Sequence, residues 1–470
     1  MMLDLKELLI YHCIIIFLFF LVLGFYLKKY GLLRINKSGF WIYWSGIIFF
    51  LINPFLALIT GNLEVYEYNL NFFGEGYLNR IIWILVNIIV GYVVFFYFYI
   101  KQQKKYYFEK DMDFINFHFK LKIRQIIIII IFVFFSLFSI IKYRLHPEIY
   151  IYGIEWSKII AGPSGYLISA HLILYFLIIY LYNCDKIFKF IGRAFLIIYI
   201  VLRMQDPFDR ASIVSIFLAL LIIYYLNMKN KGNMRIHKKI KLAFLSILSF
   251  FIIFILVFRG HEEISATKYR LGLLNEELKN NLNIFINADT SMLAYFYSWS
   301  KAYDMEGYEF GIPTFNKIIF GWLPRKYFPW KDEPTRILLG RDELKYDYKY
   351  FKIFYGPKAS ILASFYSYGG FIGVIIGMII FSCFCRLVDV LIYNKDVAIR
   401  AFGLAIMSEL WLILGSNDYW GLQRVIFFLI PCLFLMRRPF SLYPLDKKIN
   451  RLEIKRKYHC IKKEGGNGLF

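Results

Sequence analysis

The sequence predicts an all-α, polytopic integral membrane protein of about eleven transmembrane helices with one large external loop. Three observations carry this. The 470 residues are 59% hydrophobic and 21% aromatic, with a mean hydropathy of +0.54, whereas soluble domains are about 45–50% apolar. Apolar runs of roughly 17–25 residues recur along the chain, each long enough to cross a hydrocarbon core of about 30 Å. The net charge of +23 is concentrated in segments 28–39, 101–124, 228–241 and 437–470, which together hold +21 of it. These segments flank apolar runs at alternate crossings, as the positive-inside rule requires of cytoplasmic segments. The charge therefore orients the protein, and a nucleic-acid partner is excluded.

In chain order the spans read as about 9–27, 40–60, 80–100, 125–142, 165–183, 190–205, 210–227, 242–258, 359–390, 399–415 and 421–437. Asp4 and Glu7 precede the first, while Lys28, Lys29 and Arg34 follow it, so the N-terminus is expected outside. Without a basic n-region or a small-residue cleavage site, the first span is not read as a signal peptide. Pro54 is expected to kink the second. The short span at 190–205 has Arg193 and Arg203 near its ends, where long side chains snorkel. The span at 359–390 is long enough to tilt or to begin as a surface helix. Within it, Gly369, Gly373 and Gly377 recur at a spacing that lets helices approach closely in lipid. An odd number of crossings places the basic C-terminus inside. The resulting organisation is a bundle of about eight helices over 1–258, an external loop over 259–358, membrane helices over 359–437 and a basic cytoplasmic tail over 438–470. Inside the loop, 283–303 mixes apolar and polar residues and reads as an interfacial or re-entrant helix rather than a crossing.

The six cysteines form neither a disulfide framework nor a metal-ligand spacing. No P-loop, HExxH or nucleophile elbow is present. The residues that carry chemistry are charged groups at external membrane boundaries, which are expensive at depth and functional by default. In Asp206-Pro207-Phe208-Asp209-Arg210, Asp206 caps the next helix, but Arg210 opposes the helix dipole and needs an anion to offset it. Arg259 and Glu262 open the long loop, and Arg424 follows Trp420-Gly421. The loop's densest stretch runs Gly321-Trp322-Leu323-Pro324-Arg325-Lys326-Tyr327-Phe328-Pro329-Trp330-Lys331. There the guanidinium of Arg325 suits bidentate phosphate binding. Trp322, Tyr327 and Trp330 suit sugar faces, with Lys331 as a further cation.

Several of these features occur in a recognisable order: Asp209-Arg210 opening a span, Arg259-Gly260 leaving one, Tyr308 to Gly311, the Leu-Pro-Arg segment and a Gly- and aromatic-rich span from Tyr366 to Gly377. In this the chain resembles Wzy-type repeat-unit polymerases of bacterial O-antigen and capsule. One departure is that Asp332 and Glu333 separate Lys331 from Pro334. The resemblance implies a bacterial cytoplasmic membrane protein acting on its outer face. It implies a polyprenyl-pyrophosphate-linked glycan as donor, a second lipid-linked glycan as acceptor, and a chain-length regulator and a flippase as partners. No cofactor is implied. With no carboxylate cluster for Mg²⁺, the mechanism reads as metal-independent, with Arg210 and Arg325 on the pyrophosphate. Asp209, Glu262 and Asp304 are the candidate bases, Asp209 first. A flippase or a lipid-linked glycan ligase is the alternative reading. Transporters usually bind at mid-membrane between short loops, which a loop of about a hundred residues does not fit.

Overall fold

The computed structural model describes residues 5–61, 63, 66, 76–105, 123–145, 171–184, 186–204, 210–229, 292–312, 319–320, 360–394, 396–414 and 429–436. Among these residues every regular element is a helix. In order they are α1 (Leu5–Lys29), α2 (Ser38–Thr60), α3 (Gly76–Lys105), α4 (Ile123–Leu145), α5 (His171–Tyr182), α6 (Lys186–Met204), α7 (Arg210–Lys229), α8 (Met292–Glu306), α9 (Ile361–Leu391), α10 (Val397–Leu414) and α11 (Ile430–Met436).

Four helices among the described residues, rather than the expected eleven, have the length and composition to cross a membrane: Leu5–Lys29, Ser38–Thr60, Arg80–Gln102 and Ile361–Leu391. They carry exposed apolar side chains along their lengths, such as Phe17, Val22, Phe25, Ile59, Val93 and Ile376, the surface a lipid-facing helix needs. Three more expected spans coincide with apolar helices described over fewer residues, Ile123–Phe134, Leu172–Tyr182 and Ser215–Leu226. α6 is 19 residues long and includes Lys186, Lys189, Arg193 and Arg203, and it is not among the four. The expected span at 242–258 and most of that at 421–437 lie outside the described residues.

α10 is the hub. It packs against α2, α5, α7, α9 and α11, and residues 401–410 are all buried, as expected of a helix surrounded on every side. α3 packs against α1, α8 and most extensively α9.

Among the described residues two helices are broken, and each break is repaired by a neighbour. In α2 a π-turn at Ile48–Ile52 precedes Pro54. Proline has no N–H to return to the carbonyl four residues back. The Phe50 carbonyl accepts instead from His12 Nε2 on α1, at 3.2 Å. The expected kink at Pro54 thus takes the form of a widened turn.

The second break divides α9. Gly369 (φ 173°, ψ 35°) and Gly370 (φ 62°, ψ −139°) leave helical geometry. Residues eight apart in a straight helix are separated by about 12 Å, yet a Cβ on Gly373 would collide with the Phe365 carbonyl oxygen, and one on Gly377 with the Phe365 ring. Leu362, Val374 and Met378 all crowd Gly91 of α3. Segment 361–368 therefore lies alongside 371–378 as a helical hairpin. Gly373 and Gly377 do not seat a separate helix, as their spacing predicted. They seat the preceding limb of their own helix, and Gly91 is the glycine that admits a neighbour. Segment 371–391 remains as the crossing helix, about 31 Å long.

Residues 283–291 of the segment read as non-crossing lie outside the described residues, and α8 covers 15 described residues. Its Leu293, Ala294, Phe296 and Tyr297 are fully buried against α3 and α9.

At the end of the bundle away from α8, α2, α3 and α9 meet on Asp389. Its Oδ1 accepts the Ser38 backbone N–H (2.8 Å), an unpaired donor of the first turn of α2. Its other oxygen accepts the Tyr99 hydroxyl of α3. Ser38 Oγ donates to the Cys385 carbonyl (3.0 Å), and Arg386 Nη1 lies 3.9 Å from the carboxylate.

Gly377→Ala is expected to lower stability by about 1–3 kcal/mol, the usual cost of overpacking, because the methyl group meets the buried Phe365 ring. Phe365→Leu should restore part of that loss when the two are combined. Thermal unfolding of the wild type and the three variants in detergent measures the coupling, and additive effects would contradict the hairpin.

Candidate functional site

The best-formed polar cluster among the described residues lies at the other end, where α3, α8 and the α9 hairpin meet. Asp304, in the last turn of α8, pairs with Arg80 near the start of α3, Nη1 to Oδ2 2.5 Å, with the side chains 25% and 15% exposed. Its Oδ1 accepts the Tyr308 hydroxyl (2.7 Å) and the Tyr366 hydroxyl (2.9 Å). The Tyr366 hydroxyl is also 3.1 Å from Oδ2 and accepts from the Trp83 indole N–H at 3.1 Å. One carboxylate thus collects donors from three elements.

Local sequence explains each position. α8 ends at Glu306, and Gly307 (φ 93°) returns its N–H to the Tyr303 carbonyl (2.8 Å), a left-handed cap that glycine adopts without steric cost. The chain then turns back, so Tyr308 reaches Asp304. The Glu309 N–H donates to the Ser367 carbonyl (2.7 Å), an acceptor released by the break at Gly369–Gly370. Gly370 has a positive φ, and a Cβ there would lie 2.7 Å from the Tyr308 hydroxyl. Both constraints demand glycine. Gly311 (φ 73°) packs over Tyr368. The Tyr308-to-Gly311 spacing quoted from the sequence is therefore the strap that ties the end of α8 to the hairpin turn.

Aromatic rings frame the carboxylate. Tyr366, 2% exposed, stands edge-to-face with Phe296 and Tyr308 at 5.9 and 6.2 Å. Trp83 packs on Phe371 at 5.5 Å but remains 38% exposed. Burial, then the hydrogen bond to the Asp304 carboxylate, push the Tyr308 phenol well above its ordinary value. It therefore stays a neutral donor across the physiological range. The site combines an acceptor carboxylate, a guanidinium, two phenols and an indole within reach of solvent. That set can bind a polyhydroxylated ligand and take a proton from it.

Of the residues predicted from sequence, Arg210 is the first residue of α7, and the spacing had placed the start of a span there. Its side chain, and Asp209, Arg259, Glu262, Trp322, Arg325, Tyr327, Trp330, Lys331 and Arg424, lie outside the described residues. Asp304, one of the three candidate bases, has the partners just described. Arg80 and Trp83 were missed, although Arg80 satisfies the criterion applied to Arg259 and Arg424, a cation where a span meets its external boundary. No family model, curated protein or solved structure matches this chain.

Tyr308→Phe is expected to cost about 1 kcal/mol of stability at pH 8 through the lost hydrogen bond. Because the folded phenol titrates above its unfolded value, that contribution is full below about pH 10 and declines as pH rises further. Wild type and variant should therefore converge in unfolding temperature at strongly alkaline pH. A constant difference would contradict the assignment.

Proposed function

We propose that this protein is a polymerase joining polyprenyl-pyrophosphate-linked oligosaccharide repeat units into a bacterial surface polysaccharide. It acts at the outer face of the cytoplasmic membrane. In this reading the chain crosses the membrane eleven times, the Asp304 end of the bundle faces outward with 259–358, and the basic tail is cytoplasmic. The single observation carrying it is the Asp304 carboxylate, held by Arg80, Tyr308 and Tyr366 at one end of a bundle of apolar helices. A glycan transferase working on lipid-linked substrates needs a proton acceptor at that depth.

The reaction has two electrostatic demands. The acceptor sugar hydroxyl attacks the anomeric carbon of the donor, and the bond from that carbon to the pyrophosphate oxygen breaks. The electron pair departs with the pyrophosphate, and the hydroxyl proton passes to Asp304 directly or through a tyrosine hydroxyl. Preorganised cations must meet the charge developing on the leaving group. Arg210 and Arg325 take that role, with Arg259 and Arg424 in support and Trp322, Tyr327 and Trp330 along the glycan. Asp304 is the base in this reading, supported by its hydrogen bonds from Tyr308 and Tyr366, with Asp209 and Glu262 as the other candidates. A chain-length regulator and a flippase are the partners such a polymerase works with.

The test is extension of a defined lipid-linked repeat unit by the purified protein in nanodiscs, read as a ladder on a gel. Asp304→Asn should slow extension by on the order of 10²–10⁴-fold, the usual worth of a general base. Arg210→Lys and Arg325→Lys should each stop chain growth while the protein accumulates normally. A normal ladder from all three variants overturns the proposal.

A further inference from the structure

Resting on that reading, we infer that the Arg80–Asp304 end of the bundle is the subsite for the acceptor's sugar ring, an uncharged pyranose laid along α3 from Trp83 to Asn87, and that it does not hold pyrophosphate. Three observations lead there.

The first is charge. Arg80 resembles a phosphate ligand only in isolation. With Asp304 2.5 Å away the pair is neutral overall, and the carboxylate repels a polyanion. Arginines that clamp phosphate keep their charge for the ligand. An ion pair flanked by phenols instead offers alternating acceptors and donors, the pattern that sugar hydroxyls match.

The second is shape. The Trp83 indole is fixed at two points, by its N–H on the Tyr366 hydroxyl (3.1 Å) and by Phe371, yet 38% of the residue is exposed. A held, partly open indole presents an apolar face to the C–H face of a pyranose.

The third is Asn87. It is fully buried, and its Nδ2 donates to the Trp83 carbonyl at 2.8 Å, which fixes the amide's orientation. Its Oδ1 has no hydrogen-bond partner among the described residues. Buried acceptors are rarely left so. Helical register shows where it points. Asn87 is seven residues from Arg80 and four from Gly91, so all three share one face of α3. Gly91 is crowded by Leu362 and Val374, so that face is turned to the α9 hairpin. Asn87 thus lies two helical turns, about 10 Å, from Arg80, between the Trp83–Tyr366 contact and the packed floor at Gly91. An acceptor oriented there suits a ligand hydroxyl.

The test uses the full-length protein in nanodiscs. Saturation-transfer NMR is run with D-glucose, D-galactose and N-acetylglucosamine, and pyrophosphate binding is followed by ³¹P NMR. At least one pyranose should bind, and Asn87→Leu and Trp83→Leu should each weaken it at least tenfold. Asn87→Thr substitutes where Asn87→Leu does not fold, and unfolding temperatures identify such cases. Asp304→Asn should lose the sugar and gain pyrophosphate binding, because it leaves Arg80 unopposed. Three results overturn the inference: no pyranose bound by wild type, pyranose binding unchanged in the Asn87 and Trp83 variants, or wild-type pyrophosphate binding abolished by Arg80→Gln. Pyranose binding lost in these variants without any chain extension removes the polymerase reading and leaves the sugar subsite. Extension by a protein whose Asn87 and Trp83 variants extend normally removes the subsite alone.

Discussion

The arrangement depends on the close contact between α3 and the broken helix α9 at Gly91. Leu362 from the short limb of the hairpin and Val374 and Met378 from the crossing limb converge where α3 has no side chain. This contact seats both limbs on one helix and so fixes what lies at either end of it. Toward one end it brings Tyr366 under Trp83 and within reach of the Asp304–Arg80 pair. Toward the other it brings Asp389 to Tyr99 and to the start of α2. Arg80 and Tyr99 are nineteen residues apart on α3, about 28 Å of helix, close to the roughly 30 Å of a bilayer's hydrocarbon core. The two polar clusters are thus separated by about the thickness of that core, with apolar packing between them. A buried carboxylate such as Asp389 costs several kcal/mol to desolvate. It persists because it meets a helix N-terminus, a phenol and nearby cations together.

The parts legible in the sequence were those that leave a local pattern. α1, α2 and α3 are long apolar runs, and length alone identifies them. α8 was recognisable as a helix from its mixed apolar and polar run, of which Met292–Glu306 is described. α5 carries an apolar run but too few described residues to count as a crossing, and the charges of α6 read equally as ends that snorkel and as a helix that does not cross. The break in α9 was misread for a physical reason. Gly369, Gly373 and Gly377 have the same spacing whether the partner is another helix or the preceding limb of the same one, and only the positive φ of Gly370 separates the two cases. Asp304 was visible as a carboxylate near a boundary but carried no sign of its partners, because Arg80, Tyr308 and Tyr366 come from three different elements. Tyr308 and Gly311 were noticed as a spacing, but the spacing did not disclose the strap they form.

The two helix breaks share one solution, which bears on how rigidly the site is held. In lipid a carbonyl freed by a break has no water to turn to. In α2 the orphan is the Phe50 carbonyl, and His12 of α1 takes it. In α9 it is the Ser367 carbonyl, and the main chain of Glu309 takes it. The second repair ties the backbone just after Asp304 and Tyr308 to the backbone just after Tyr366. The spacing of the carboxylate and its two phenols is therefore set by main-chain hydrogen bonding, with the side chains adding to a frame already fixed. Moving Asp304 away from Tyr366 would expose a buried carbonyl as well as break an ion pair, so the cost of loosening the site exceeds what either interaction contributes alone. A carboxylate held this way has its position fixed by the backbone as well as by its side-chain partners. Catalytic positioning asks for that property, and a surface salt bridge on flexible side chains does not supply it.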